Sequence, residues 1–532
     1  MKTRLDFKAG WLRGGLILVG VVGSLIACQE TPEPIPNAEA EIIEPPQLII
    51  LISIDTLRAD HLSLYGHARF TSPRMDLFAS EGASFLDASS AAPWTLPAHA
   101  SLFTGLYPQQ HGAVSAAHPL SGNIATLAER LKAAGWDTAA VVNTIWLGNP
   151  QFRLQSGFDQ FLFIQDEADR KLPNDQITDQ AIRWIEQERT RPLFLFIHYY
   201  DVHSDYTSLS RYEKKFVEPY EGEIDGTGLQ LQLINLPDSY VEMCTTAFDP
   251  KKCRLGTGPD PIEIGKKTAK PILEEADIQH LEELYDAGIR QIDDEVGRLF
   301  SFLENHDLLE RGAVIVTSDH GEEFMDHGRV FHHLTTYQES LRIPLIMRGM
   351  GVPQGVQIST PVSIVDIPAT ILSWAGLPLP PSMAGMNLMP LLQEDDLASA
   401  PFEERLQFGE ASAGVDLIDV MGKEAPYYFS VRQGPYKLIH RVGDFLEAEP
   451  VTPQRSFGNL DTQFEIAHAG DVDLRDVAHG RQIVAHTLSQ RLERPLIDIA
   501  VHHQAQHLHA VGHFGNDGLF SFLGESLDAI DR

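Results

Sequence analysis

Hydrophobic positions fall into short continuous runs separated by longer segments of helical spacing. From Gln47 the run LIILISID is apolar without alternation and closes on Asp55. That is the pattern of a parallel strand buried on both faces, with its C-terminal end pointing into a site. Further runs of this kind lie at 138–142 (TAAVV), 193–198 (LFLFIH) and 313–318 (AVIVTS). Between them apolar residues recur at helical intervals, with Leu127, Leu131 and Ala134 in one segment and Leu281, Leu284, Ile292, Val296, Leu299 and Leu303 in another. The alternation predicts an α/β fold with a large, mostly parallel sheet sandwiched by helices. In such sheets ligands sit at the carboxyl ends of the strands.

The pattern breaks in three places. Residues 205–270 lose periodicity amid Gly, Pro and scattered charge, which predicts an insertion able to shape an entrance. After about Ala400 the character shifts, and VRQGPYKLIH at 431–440 predicts antiparallel strands in a smaller C-terminal subdomain. At the N-terminus, Lys2, Arg4, Lys8 and Arg13 precede an apolar run from Leu16 to Ala27, too short to span a bilayer comfortably. This predicts an export signal. Leu25-Ile26-Ala27-Cys28 resembles a bacterial lipobox, which implies lipidation of Cys28 and an exported lipoprotein of the cell envelope, held to the membrane by its N-terminus. The expected division is a signal peptide at 1–27, a Pro/Glu-rich tether at 28–46, a main domain at 47–395, and a C-terminal subdomain with a His-rich tail at 396–532. In that tail His503 and His507 stand at i, i+4, a zinc-capable spacing, but without a nearby carboxylate a solvated helix face is the favoured reading.

Composition narrows the chemistry. A formal charge of -33 over 532 residues excludes nucleic acid as a partner. It permits a small anion, because a local cation outweighs distant carboxylates beyond a Debye length of about 8 Å. Of three cysteines, Cys244 and Cys253 are left as a candidate disulfide if Cys28 carries lipid.

The chemistry concentrates in AAPWTLPAHASLFTGLYPQQHG, from Ala91 to Gly112. Thr95, Pro97, His99, Thr104 and Gly105 stand at the spacing of the sulfatase signature, and the chain resembles that family, part of the alkaline phosphatase superfamily. IDTLRADHLSLYG near the start and TSDHGEEFMDHG late in the chain extend the resemblance over roughly residues 47–495. It implies metal ligands at Asp55, Asp319, His320 and the nucleophile Thr95. No formylglycine is expected, since that modification needs Cys or Ser. The family's second aspartate is Thr56 here and its asparagine is His320, which favours zinc or manganese while leaving calcium or magnesium open. His99 takes the arginine position, where it could hold Thr95 or a substrate oxygen. His203 resembles the histidine that contacts the ester oxygen, with Asp201 beside it to orient the ring or join a second metal. His332 is the candidate general acid where relatives carry lysine. His327 divides between second-metal and structural roles, and Asn143 stands in for a missing lysine. Thr104 is expected to serve a turn or helix cap.

The implied activity is metal-dependent hydrolysis of a sulfate ester, with a sulfated or phosphorylated sugar, aryl group or lipid head group as the small anionic substrate. Phosphodiesterase, phosphomonoesterase and phosphoglycerol- or phosphoethanolamine-type transferase activities of the same superfamily compete with it. A catalytically silent anion-binding envelope protein is the rival class, separable by measuring metal content beside turnover.

Overall fold

Leu48–Ile54 forms β1, buried along its whole length as its unbroken apolar run predicts. Around it, the computed structural model describes residues 45–165, 174–236, 238–246, 254–255, 262–263, 270–393, 398–412, 427–434, 436–441 and 447–450. The signal and tether segment through residue 44, with Cys28, lies outside the described residues, as do Cys253 and the His-rich tail.

Eight further strands join β1 in one sheet: β2 (Ala83–Ser89), β3 (Asp137–Val142), β4 (Gln160–Phe163), β5 (Leu193–Tyr199), β6 (Gly312–Ser318), β7 (Arg342–Gly349), β8 (Val356–Ile358) and β9 (Val362–Ser363). Their order is β8-β2-β7-β6-β1-β5-β3-β4, with β9 paired to β2. Only β7 runs against its neighbours, so the sheet is mostly parallel. Side chains alternate between two apolar layers. Ile49 and Leu51 face one core, while Leu48, Ile50, Ile52 and Ile54 face the other.

The helices that matter for the site are α1 (Pro73–Ser80), α2 (Thr95–Thr104), α3 (Leu127–Ala133), α4 (Asn174–Ile185) and a group beyond β5. That group is α5 (Ser210–Phe216), α6 (Gly228–Asn235), α7 (Asp238–Thr246) and the 31-residue α8 (Glu275–Asn305). About half of the described residues in the stretch read as aperiodic thus lie in three short helices. At seven to nine residues each, they are too brief for a repeat to emerge from the sequence. Cys244 is buried in α7 and disulfide-bonded. A further helix, α9 (Asp366–Trp374), precedes a four-stranded antiparallel sheet of β10 (Gln407–Ser412), β11 (Tyr427–Gln433), β12 (Tyr436–Arg441) and β13 (Glu447–Pro450). The hairpin expected at 431–440 is the β11–β12 pair. Among the described residues no helix is long and apolar enough to cross a membrane.

Candidate active site

Register brings the candidate residues to one edge. Ile54 pairs with Tyr199 on one side and Ser318 on the other, so Asp55, Tyr200 and Asp319 leave neighbouring strands at the same level. One rung deeper, Ser53 lies between His198 and Thr317. The chain then turns sharply, and Thr56 takes a positive φ of 55°, costly for a β-branched residue. Its N–H donates to Asp319 Oδ1 at 3.2 Å and its carbonyl accepts from the Tyr285 hydroxyl of α8 at 2.6 Å. Arg58, next along, donates to the Glu322 carbonyl at 3.0 Å and pairs with Asp326 at 2.9 Å, which ties this turn to the loop after β6.

Thr95 opens α2, two residues earlier than a helix started by Pro97 would begin. Trp94 is extended and supplies the entry, while Gly105 at φ +70° ends the helix. A Cβ at Gly105 would stand 2.7 Å from the Met383 side chain, so both backbone and space favour glycine there. Thr104 occupies the last turn, its hydroxyl donating to the Ala100 carbonyl at 2.6 Å. The positive end of α2 thereby falls on Thr95 and favours a developing alkoxide.

Asp55, Asp319 and His320 are fully buried and offer three donor atoms within 4.8 Å of one another. His320 Nε2 is 3.6 Å from Asp55 Oδ1 and 3.3 Å from Asp319 Oδ2. Its other nitrogen, Nδ1, donates to the Gly321 carbonyl at 2.9 Å, which fixes the tautomer and leaves a lone pair on Nε2. A lone pair facing two carboxylates needs a cation between them. No hydrogen bond of good geometry reaches Asp55 Oδ1, Asp55 Oδ2, Asp319 Oδ2 or His320 Nε2. Burial pushes Asp55 well above the usual carboxylate range, against the pull of Thr56 N–H and the nearby Asp319 and Thr95 side chains. Asp319 rises to about 7 through burial and then the Asp55 charge. Burial holds His320 down at about 3. A divalent ion would reverse the two carboxyl shifts and reinforce that of His320, and the donor set of two carboxylates and one imidazole fits it.

The other candidates divide. His203 and His332 join the group, their rings 4.7 Å apart, and His332 is another 4.7 Å from His320. His332 Nδ1 lies 2.9 Å from Glu322 Oε1, a buried partner that leaves Nε2 on the open side of the ring. His99 is buried beneath the group. Its Nδ1 donates to the Thr95 carbonyl at 2.9 Å and approaches Asp319 Oδ2 at 3.4 Å, while Nε2 accepts from Ser53 at 3.1 Å. It therefore holds the Thr95 backbone and stands beside the Asp319 carboxylate. Asp201 lies in the turn after β5, its charge felt by Tyr200. His327 pairs with Glu339 and stacks flat on Tyr337 at 3.7 Å. Asn143, at the end of β3, stands 3.2 Å from His198 Nδ1. The sequence reading missed His198 and Glu322. A histidine inside an apolar strand reads as core, and only its register beside β1 could have marked it.

The mostly parallel sheet carries these carboxylates and imidazoles at its C-terminal edge, and family likeness places the chain among the sulfatase-like ester hydrolases of the alkaline phosphatase superfamily. The sulfatase family model matches residues 47–377, and a model described as the C-terminal part of N-sulphoglucosamine sulphohydrolase matches 326–449. The chain belongs to the sulfatase family. It is 26% identical to arylsulfatase K of Mus musculus over 511 residues, 88% of this chain and 86% of that protein. With N-acetylglucosamine-6-O-sulfatase of Bacteroides thetaiotaomicron it shares 23% over 469 residues, 78% of this chain and 81% of that one. The fold matches the phosphonate monoester hydrolase of Agrobacterium radiobacter with a TM-score of 0.58 at 19% identity, covering 76% of this chain and 89% of that one.

Proposed function

We propose that the chain hydrolyses a singly charged sulfate monoester through Thr95, with one divalent ion held by Asp55, Asp319, His320 and the Thr95 hydroxyl. The observation that carries this reading is the Thr95 side chain against the buried Asp55 carboxyl, at the positive end of α2. When bound, the ion supplies Lewis acidity and lowers the pKa of a coordinated hydroxyl. Thr95 gives its proton to water and attacks sulfur. The new O–S bond forms as the bond to the alcohol oxygen breaks, and that oxygen takes the Nε2 proton of the His332 ring while Nδ1 takes one from the buried Glu322 carboxyl. Glu322 orients that ring through Nδ1. Water then attacks the sulfuryl-threonine, so that ester and water become alcohol and hydrogensulfate with Thr95 restored.

Charge supports a monoanion over a phosphate monoester dianion. The charged groups felt by His198, His203, His320, His332 and His333 are Asp319 and one another, with no lysine or arginine among them. Two carboxylates balance a divalent ion and leave no surplus for a second negative charge. Phosphodiesters and phosphonate monoesters carry the same single charge and form the second reading, favoured by the fold's likeness to the phosphonate monoester hydrolase. The name of one relative, N-acetylglucosamine-6-O-sulfatase, points to a sulfated sugar. The basic-then-apolar N-terminus and its Cys28 support delivery to the bacterial envelope as a lipoprotein.

A panel of 4-nitrophenyl sulfate, 4-nitrophenyl phosphate, bis(4-nitrophenyl) phosphate and a phenylphosphonate monoester tests the reading. Sulfate turnover is expected. Turnover of phosphodiesters alone overturns it, and bound metal without any turnover returns the silent binding protein.

A further inference from the structure

His198 is a fully buried polar residue whose role the reaction above does not use. It sits on the central strand β5, level with Ser53, one rung below the residues that carry the metal-site donors. Its Nε2 is 3.3 Å from Asp55 Oδ2, whereas His320 addresses the other oxygen, Oδ1. The two oxygens of Asp55 are thus divided between a candidate ligand and His198. The group of three donors within 4.8 Å comprises Asp55, Asp319 and His320, without His198.

A neutral imidazole carries one N–H. If Nδ1 carried it toward Asn143 Oδ1 at 3.2 Å, the Nε2 lone pair would confront a carboxylate oxygen. Turning the Asn143 amide by half a revolution, an exchange of O and N, presents its NH2 to Nδ1 and frees the ring's N–H for Asp55. Both contacts are then attractive. His99 stands in the corresponding relation to the second carboxylate, 3.4 Å from Asp319 Oδ2, and its ring meets that of His198 edge-on at 5.2 Å.

We infer that Asn143 and His198 form a positioning pair for Asp55: the amide fixes the ring, the ring N–H faces Oδ2 at 3.3 Å as an electrostatic contact without hydrogen-bond alignment, and Oδ1 is left toward the metal position. The pair supplies from outside the coordination sphere the restraint lost where Thr56 replaces a second aspartate. It rests on the metal-dependent reading above. It also gives Asn143 a role as a neutral orienting group on His198, distinct from that of a cation facing substrate.

The test is zinc affinity of the full-length chain, measured by competition with a chromophoric chelator. His198→Ala is expected to weaken zinc binding by about 10- to 100-fold while one ion per chain is still taken up, the usual cost of losing an outer partner. His198→Gln, whose amide NH2 reaches the same oxygen, should retain most of the affinity. Asn143→Leu should fall between them, and adding it to His198→Ala should cost nothing more. X-ray absorption of the zinc-loaded unmodified chain should show one imidazole per zinc, a measurement that needs no variant to fold. Unchanged affinity in His198→Ala overturns the proposal. Two imidazoles per zinc, or equal losses in the Ala and Gln variants, overturn it in favour of direct ligation. Failure of the unmodified chain to take up any divalent ion sinks the metal-dependent reading itself.

Discussion

Two clusters in this molecule are built from the same donors and have opposite characters. In each, three donor atoms of histidine and aspartate lie within 4.8 Å of one another: Asp55, Asp319 and His320 at the sheet edge, and His61, His67 and Asp286 between α8 and the turn after β1. In the second, every acceptor has a donor. Asp286 takes His61 Nδ1 on one oxygen at 2.9 Å, and His67 Nε2 at 2.9 Å with Arg69 at 3.1 Å on the other. Burial would raise this carboxyl, yet the two imidazoles hold it at about 2. In the first cluster the acceptors face one another, and burial wins. The residue types of a metal site are therefore not its signature. The signature is a set of buried acceptors that the protein itself declines to satisfy, and the guanidinium of Arg69 marks the cluster that is already complete.

The contrast can be broken, starting with the largest effect. Thr95→Ala should lower kcat by about 10⁴-fold or more while metal content, read by elemental analysis, stays near one ion per chain. Asp319→Asn should abolish metal uptake and turnover together; a variant that keeps both would return the edge cluster to a structural role. Asp286→Ala should leave the metal count unchanged but cost about 2 kcal/mol of stability in denaturant unfolding, since it removes the acceptor of the buried His61 ring and of the partly exposed His67 and Arg69. Loss of a bound ion in that variant would show that the closed cluster is open after all.

The smallest effect concerns Asp293 of α8, which accepts the Arg74 and Met75 N–H groups at the start of α1. Burial raises it to about 7 despite those bonds. Its folded pKa lies above its unfolded value near 4, so its contribution is complete at low pH and is lost as pH rises through 7. Stability should decline between about pH 4 and 7, and Asp293→Asn should flatten that decline in paired calorimetric scans.

Much of this was legible in the sequence because burial and chemistry coincide at strand ends. β1, β3, β5 and β6 announced themselves as apolar runs, and Asp55 and Asp319 stand where such runs stop. The Thr95 segment was legible through the spacing of its family signature. β2 and β7 were not, since ASFLDAS and RIPLIMRG mix polar and apolar residues without a clear period. α5 to α7 were hidden by their shortness. His198 and Glu322 were hidden for a deeper reason: each acts through a neighbour distant in sequence, so only the sheet register and the fold of the loop after β6 reveal the partner.

That register also governs when the site can exist. β1 pairs with β6 across about half the chain, and the contact from Thr56 to Asp319 joins residues 263 apart. Closing such a distance is slow and comes late in folding. A growing or partly threaded chain holds Asp55 and Thr95 but has no Asp319 or His320 to complete the group. Divalent ions can thus be captured only by a molecule whose two halves have already met, and metal uptake becomes a timer for the end of folding.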